Sequence, residues 1–127
     1  ILSNKLRNKT ICFLGVTFKP NTDDMRESSS LLMIPQLHKM GAKINYYDPS
    51  GEKEQFFKLK NVFFSENIEG ACKNADLVVI HTEWDEFKAL DFKKLAKKNK
   101  FKVYDLRNLY SASEMKRKGF KYYSIGR

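Results

Sequence analysis

Short apolar runs that alternate with helical segments constrain the fold of this chain more than any other feature. Helical segments follow every predicted strand except the last, and such alternation is typical of a parallel sheet with helices on both faces. The sequence therefore predicts a Rossmann-like α/β fold, an open parallel sheet of about six strands in a three-layer α/β/α arrangement. The predicted strands are residues 10–14, 42–47, 62–64, 76–81, 101–105 and 120–125, and the predicted helices are residues 28–40, 52–60, 65–74, 85–87, 91–98 and 111–118.

The loop after the first predicted strand is unusually long. The strand ends at Gly15, and residues 16–27 (VTFKPNTDDMRE) separate it from the next helix. Connections of this kind usually have about two to six residues, and longer ones are often functional. Ser28, Ser29 and Ser30 offer hydroxyl groups that can cap the helix N-terminus, where free N–H groups and the helix dipole favour anions. This stretch therefore predicts an anion-binding site; an ordinary connection between a strand and a helix is the alternative.

Composition limits the class of protein. The chain has 127 residues, of which 42% are hydrophobic, enough for one domain with a single core and too many for a disordered chain. No apolar run approaches the ~20 residues of a membrane span, and the first residues do not form a signal peptide. Because the sequence does not begin with Met, we expect a piece of a longer protein. Residues 1–9 are interpreted as the tail of a preceding helix or linker, and residues 10–127 as the domain.

The net charge indicates the kind of ligand, and the cysteines indicate the cellular compartment. Lys and Arg outnumber Asp and Glu by 24 to 15, a formal charge of +9 that favours anionic ligands. Much of this charge is Lys spread along predicted helices, which indicates solvated surfaces; a nucleic-acid-binding surface is the alternative. Cys12 and Cys72 are isolated in the sequence, with no CxxC motif and no His beside either. They indicate a reducing compartment, hence the cytoplasm, and no metal site.

Polar clusters follow four of the predicted strands. They are FKPNTDDMR after the first strand, YDP after the second, HTEW after the fourth and DLRN after the fifth. In an open parallel sheet the carboxyl ends share one edge, and ligands bind there at the switch point, here between the first and fourth strands. Lys19, Arg26 and Arg107 can converge on phosphate groups at that edge. The sequence thus predicts a site for a phosphorylated small molecule; the alternative for each cation is a surface ion pair with a neighbour such as Asp24.

Two other kinds of site agree less well with these residues. A dinucleotide-binding fold has Gly-x-Gly-x-x-Gly after its first strand, whereas Gly15 stands alone here. A phosphoacceptor receiver domain would need an Asp after the third strand and a Lys after the fifth, where this chain has Ser65 and Arg107. The domain is therefore not expected to hold a whole dinucleotide or to accept a phosphoryl group.

Three further polar residues have structural interpretations. Neither His38 nor His81 has a catalytic-triad partner in the sequence. His38 is interpreted as a packing or helix-surface residue, whereas His81 ends a buried strand and can line the crevice. Asp48 precedes Pro49 and is interpreted as a turn-former.

In this order and at this spacing, the motifs resemble the carboxyl-terminal domain of the nucleotide-sugar dehydrogenase family. The matching segments are FKPNTDDMRESSS, YYDP, ADLVVIHTEWDEF, DLRN and GFKYYSIGR, and the resemblance extends from about Lys9 to Arg127. The first motif is shared by members that act on UDP-glucose, GDP-mannose and UDP-N-acetyl sugars. Thr82-Glu83-Trp84 followed by Glu86-Phe87 favours the UDP-glucose members. Leu106 is a departure, because the family more often has Gly between the Asp and the Arg of DLRN.

The resemblance implies one domain of a three-part enzyme. In that family an amino-terminal Rossmann domain holds NAD, a central helical segment forms the homodimer, and the carboxyl-terminal domain binds the UDP end of the substrate. The UDP-glucose members oxidise UDP-glucose to UDP-glucuronate with two NAD, through a cysteine nucleophile in the middle region. Neither Cys12 nor Cys72 matches that cysteine. We therefore expect a fragment that binds the nucleotide sugar without oxidising it, and that has no nucleic-acid or membrane partner.

The resemblance also implies roles for four residues. Phe18 and Lys19 resemble the family's substrate contacts after the first strand. Arg107 resembles the Arg that reaches the UDP-sugar from the loop after the fifth strand, and Arg26 resembles the residue that crosses the cleft to NAD. No catalytic or metal-binding residue is expected in this chain.

Overall fold

A sheet of six parallel strands runs through the computed structural model, which describes residues 5–96 and 101–125. The strands are β1 (Thr10–Leu14), β2 (Lys43–Tyr47), β3 (Val62–Phe64), β4 (Leu77–Ile80), β5 (Lys102–Asp105) and β6 (Tyr122–Ser124). The helices are α1 (Ser30–Lys39), α2 (Ile68–Cys72), α3 (Phe92–Leu95) and α4 (Ala112–Arg117), with 3-10 turns at Glu54–Phe56 and Asp85–Phe87. The predicted Rossmann-like α/β fold is confirmed.

The strand order explains how distant parts of the sequence meet. The order β3-β2-β1-β4-β5-β6 places β1 between β2 and β4, with every neighbouring pair parallel. At the carboxyl edge Leu14 lies beside Tyr47 on one side and Ile80 on the other. Because the strand order reverses between β1 and β4, the predicted switch point is confirmed, and the loops after these strands open at one place.

Burial on both faces explains the continuous apolar run of β1. Cys12, Phe13 and Leu14 are fully buried, which requires packed elements above and below the sheet. One core layer, under α2, α3 and α4, includes Cys12, Leu14, Val78, Ile80 and Val103. The other, under α1, includes Ile11, Phe13, Ile34, Ile44 and Val79.

Several of the predicted helices are shorter in the structure, among them the one predicted at residues 65–74, of which only Ile68–Cys72 is helical. Of residues 52–60, which were predicted to form a helix, only Glu54–Phe56 are helical, as a 3-10 turn. Phe56 packs edge-on against Tyr46 of β2, with ring centroids 5.3 Å apart. The helix predicted at 91–98 ends at Leu95, and residues 97 and 98 lie outside the described part of the chain. Of the expected tail at residues 1–9, residues 5–8 form a turn and residues 1–4 are not described.

Cys12 and Cys72 are isolated in sequence but not in space. Their Sγ atoms lie 3.7 Å apart in the core, and both thiols are free. Burial, together with the neighbouring Cys72, raises the pKa of the Cys12 thiol well above its usual value, so this thiol stays protonated. The two side chains therefore serve as small packing residues.

Among the helices of residues 5–96 and 101–125, none has the length and apolar character that crossing a bilayer would require.

Candidate functional site at the carboxyl edge of the sheet

The loop after β1 is held against the sheet by Asp48, the residue that follows β2. Its side chain is buried, and Oδ2 accepts hydrogen bonds from the N–H groups of Val16 at 2.8 Å and Thr17 at 3.3 Å. Oδ1 accepts from the N–H of Ser50 at 2.9 Å. Asp48 therefore forms its own turn, as predicted, and also anchors the neighbouring loop.

Ser28 and Ser30 fasten the far end of the same loop. Both hydroxyl groups donate to the carbonyl oxygen of Val16, each at 2.6 Å. The N-cap of α1 is Ser29, whose side chain makes no capping hydrogen bond, although Ser28 Oγ accepts from the N–H of Ser30 at 3.2 Å. The prediction that the three serines cap the helix is therefore largely wrong, because their hydroxyl groups are mainly used to close the loop.

Gly15 is the point where the loops after β1 and β4 touch. Its φ of +81° lies in the left-handed region, and a Cβ placed there would lie 2.6 Å from the Cβ of Thr82. Thr82 in turn donates a hydrogen bond from Oγ1 to the carbonyl oxygen of Thr17 at 2.8 Å. A residue without a side chain is thus required for the two loops to pack together.

His81 is buried within this contact. It therefore does not line the crevice, a position that the sequence analysis had considered for it. Thr82 Oγ1 donates its proton to Thr17, so it accepts from His81 Nδ1 at 3.0 Å. Nε2 then carries the lone pair and accepts from the hydroxyl of Ser29 at 2.9 Å. Burial, followed by the nearby charge of Arg107, lowers the pKa of His81 to about 4. The imidazole is therefore neutral at neutral pH and links α1 to both loops.

Arg107 connects the loops after β1 and β4 at the switch point. Its Nε donates to the carbonyl oxygen of His81 at 2.8 Å, and its Nη2 donates to that of Phe18 at 3.3 Å. Glu83 Oε1 lies 3.8 Å from Nε. The guanidinium has five N–H donors, so these two carbonyl bonds fix its position while leaving further donors for a ligand. We call Val16, Thr17, His81, Thr82 and Arg107 the inner rim.

Asp105, the last residue of β5, holds the loop that carries Arg107. It is fully buried, and its carboxylate accepts hydrogen bonds from the N–H groups of Arg107 at 3.1 Å, Leu109 at 2.6 Å and Tyr110 at 2.9 Å. The hydroxyl of Tyr122 also donates to it at 2.6 Å. Four donors on one carboxylate thus hold the path of the loop that contains Leu106 and Arg107.

Phe18 and Lys19 stand at the mouth of the crevice. Phe18 is 46% exposed although it is aromatic, and its carbonyl oxygen is the one that Arg107 contacts. Lys19 is exposed as well, and its carbonyl oxygen accepts from the hydroxyl of Thr17 at 3.0 Å. The structure therefore brings the predicted residues Phe18 and Arg107 into direct contact, with Lys19 adjacent in the chain.

Arg26 has a different environment. Its side chain is 88% exposed and forms a two-pronged ion pair with Asp24, with Nε to Oδ1 at 3.1 Å and Nη2 to Oδ2 at 2.9 Å. Hydrogen bonds from Arg26 lower the pKa of the Asp24 carboxyl to about 2. For Arg26, the alternative to a phosphate contact, a surface ion pair with a neighbouring carboxylate, is thus present in the structure. We call residues 21–27 the outer arm.

The residues after β1 do not fit a dinucleotide. The N–H groups of Val16 and Thr17, which would face a pyrophosphate, are already bound by Asp48, and the open side of Gly15 is filled by Thr82. In the described part of the chain, no group of three or more His, Cys, Asp or Glu side chains could hold a metal ion. The N–H groups of Val16 and Thr17 are therefore not available to a pyrophosphate.

Sequence reasoning missed the two buried carboxylates and the histidine link. Asp48 directly follows a predicted strand and Asp105 ends one, so an acidic residue at the carboxyl end of a strand is the signal that could have found them. The role of His81 depends on which loops are neighbours, and no local pattern contains that information. The motif FKPNTDDMR likewise does not reveal that Lys19 and Arg26 belong to different parts of one loop.

Comparison with known proteins adds a family to this geometry. The sequence model described as the UDP-glucose/GDP-mannose dehydrogenase family, UDP binding domain, matches residues 12–112. The UDP-glucose 6-dehydrogenase of Rhizobium meliloti (strain 1021) is 42% identical over 123 residues, covering 96% of this chain and 28% of that protein. The chain thus spans less than a third of the length of this curated relative.

Solved structures agree with the sequence comparison. A UDP-glucose dehydrogenase from the hyperthermophilic archaeon Pyrobaculum islandicum matches with a TM-score of 0.73 and 26% identity, over 95% of this chain and 26% of that chain. An NDP-N-acetyl-D-galactosaminuronic acid dehydrogenase from Methanosarcina mazei Go1 matches with a TM-score of 0.81 and 28% identity, over 97% and 26% of the two chains. The same fold therefore occurs in dehydrogenases that act on different nucleotide sugars.

Proposed function

The chain belongs to the UDP-glucose/GDP-mannose dehydrogenase family as its UDP-binding domain, and on that premise we propose that it binds the UDP end of UDP-glucose within an NAD-dependent dehydrogenase. The observation that carries this proposal is the position of Arg107. Two backbone carbonyl groups hold its guanidinium at the switch point, so it meets a diphosphate without first losing conformational freedom.

The neighbouring residues complete the proposed substrate site. Lys19 is exposed beside Arg107's carbonyl partner Phe18 and supplies a second positive charge for the diphosphate. The ring of Phe18 offers an exposed flat surface on which a uracil base can stack. Arg26, on the outer arm, is proposed to reach toward the NAD that another domain holds.

The complete enzyme is proposed to oxidise UDP-glucose to UDP-glucuronate with two NAD. NAD is held mainly by an amino-terminal domain, a cysteine outside this chain is the nucleophile, and the enzyme acts as a homodimer in the cytoplasm. This chain alone binds without oxidising, because its residues after β1 do not fit a dinucleotide and Cys12 and Cys72 are buried in the core. The second candidate is the same domain of a sister enzyme, which the N-acetyl-sugar dehydrogenase of the same fold supports.

Calorimetric titration of the chain with UDP, GDP and a random oligonucleotide tests the proposal. We expect UDP to bind best, with a shallow dependence on salt because few charges are neutralised. Preference for GDP would favour a sister enzyme. Oligonucleotide binding that falls steeply with salt, without a response to UDP, would replace the proposal by the nucleic-acid alternative. Incubation with UDP-glucose and NAD is expected to produce no NADH.

A further inference from the structure

Glu83 differs from the other carboxylates at the carboxyl edge of the sheet in how its oxygens are used. Asp48 and Asp105 are buried and accept hydrogen bonds from backbone N–H groups, and Glu86 accepts one from a tyrosine hydroxyl at 3.0 Å. In the described part of the chain, by contrast, no group donates a hydrogen bond to the Glu83 carboxylate. Its ion pair with Arg107, from Oε1 to Nε, is 3.8 Å long, which is too long for a hydrogen bond. The acceptor positions of Glu83 are therefore free for a ligand.

The backbone on either side of Glu83 is held in place. Thr82 is fully buried, and its hydroxyl donates to the carbonyl oxygen of Thr17 at 2.8 Å. The N–H of Trp84 donates to the carbonyl oxygen of Thr82 at 3.0 Å, so the chain makes a tight turn at Glu83. The Glu83 side chain itself is 41% exposed beside Arg107. The carboxylate is thus placed at the inner rim by the fold and is still open to solvent.

The order of the chemical groups in UDP places the ribose near Glu83. The ribose joins the base to the diphosphate, and in the proposed function the base stacks on Phe18 while the diphosphate meets Lys19 and Arg107. The guanidinium of Arg107 has Phe18 on one side, with Nη2 3.3 Å from its carbonyl oxygen, and Glu83 on the other. A ribose between the base and the diphosphate therefore lies beside this guanidinium, next to the Glu83 carboxylate.

We propose that Glu83 accepts hydrogen bonds from the 2′- and 3′-hydroxyl groups of the ribose, so that the site selects ribonucleotides. The inference rests on the proposed function, in which a UDP-sugar binds at the inner rim. Two hydroxyl donors on one side of the sugar match the two oxygens of a carboxylate, whose charge strengthens both bonds. An acidic residue has this role toward a ribose in dinucleotide-binding folds. The same charge repels phosphate, so it directs the diphosphate away from Glu83 and toward Lys19.

Calorimetric titration of the full-length protein with UDP and with 2′-deoxy-UDP tests this inference. In the wild type, we expect loss of the 2′-hydroxyl to weaken binding about tenfold, because a hydrogen bond to a charged group is removed. In Glu83→Ala, the two nucleotides should bind with nearly equal affinity. Glu83→Gln keeps an acceptor oxygen without the charge, so it should retain part of the discrimination. Undiminished discrimination in Glu83→Ala would overturn the inference.

The remaining outcomes separate this role from two simpler ones. Equal weakening of both nucleotides in Glu83→Ala would make Glu83 only an orienting partner of Arg107, and equal strengthening would make it only a repulsive charge; either result overturns the inference. Asp85→Asn is the matched control, because Asp85 is 88% exposed and pairs with Lys88, and it should discriminate like the wild type. A wild type that binds both nucleotides equally well would overturn the inference alone. A wild type that binds neither would contradict the proposed function as well.

Discussion

The inner rim and the outer arm belong to the same edge of the sheet but are built differently. In the inner rim, Arg107 donates to two carbonyl groups and its loop is held by the buried Asp105. In the outer arm, Arg26 is 88% exposed and its partner is Asp24, two residues away in the same loop. One arginine is fixed by the fold, whereas the partner of the other lies in its own loop.

This difference suggests a division of labour. A fixed guanidinium suits a ligand that must be held in one orientation, because little conformational entropy is lost on binding. An exposed arginine in a local ion pair can exchange its partner at little cost, because ion pairs in solvent contribute little to stability. The inner rim is therefore the proposed site for the UDP-sugar, and the outer arm is proposed to contact a cofactor held elsewhere.

The largest expected effect is that of Gly15→Ala, which removes the close packing of the inner rim. A Cβ 2.6 Å from that of Thr82, on a residue with a φ of +81°, must displace one of the two loops. Left-handed strain and overpacking together predict a loss of about 4 kcal/mol in the free energy of unfolding. Urea denaturation measures it.

Gly51→Ala is the matched control for Gly15→Ala. Gly51 also has a left-handed φ, +99°, but a Cβ there would have no neighbour within 4 Å. Only the backbone strain remains, so we expect a loss of about 1 kcal/mol. Similar losses for the two variants would mean that Gly15 is needed only for its φ and that the loops do not depend on close contact.

The next effect is the dependence of stability on pH through His81. Its pKa of about 4 in the folded protein lies below the ordinary value of 6.5, so the unfolded chain binds the proton more readily. The contribution of the neutral His81 to the free energy of unfolding is therefore complete above pH 6.5. It is lost as the pH falls toward 4, by about 3 kcal/mol in total. We expect His81→Gln to be less stable at neutral pH and to lose this part of the slope. His38→Gln should retain it, and an unchanged slope in His81→Gln would contradict the neutral, buried imidazole.

A smaller effect is expected for Asp105→Asn. The amide keeps one acceptor but turns a donor toward the N–H groups that the carboxylate now binds. Loss of charged hydrogen bonds at a buried site predicts about 2 kcal/mol of destabilisation, with weaker UDP binding because the loop of Arg107 shifts. Asp91→Asn changes an exposed N-cap, where Asn serves as well as Asp, and should have almost no effect. If Asp105→Asn also had none, the loop would be held by other contacts.

The parts that could be predicted from the sequence depend on continuous local patterns. The apolar runs of β1 and β4 exist because both strands are buried on both faces, and the placement of Arg107 follows from its position after β5. The contact between Cys12 and Cys72, and the anchoring of Val16 by Asp48, depend on which strands are neighbours. The helix predicted at residues 52–60 is wrong except for a 3-10 turn. The packing of Phe56 on Tyr46 is a tertiary contact, which the spacing of apolar residues along the sequence does not predict.

The smallest expected effect concerns the ion pair of the outer arm. Arg26→Ala should raise the pKa of the Asp24 carboxyl from about 2 toward its ordinary value, because the hydrogen bonds that lower it are removed. The free energy of unfolding should not change measurably, since both groups face solvent. NMR titration of the Asp24 carboxyl carbon measures this. A clear loss of stability would show that the outer arm is part of the fold, contrary to the comparison.

The division between the two arginines is tested most directly by steady-state kinetics of the proposed full-length dehydrogenase. Truncating an arginine that makes charged hydrogen bonds to a ligand costs about 1.5–3 kcal/mol, roughly tenfold to a hundredfold in affinity. Arg107→Ala should raise KM for UDP-glucose by that factor and leave KM for NAD nearly unchanged, whereas Arg26→Ala should do the reverse. Equal effects of both variants on one substrate, or no effect of either, would contradict the account.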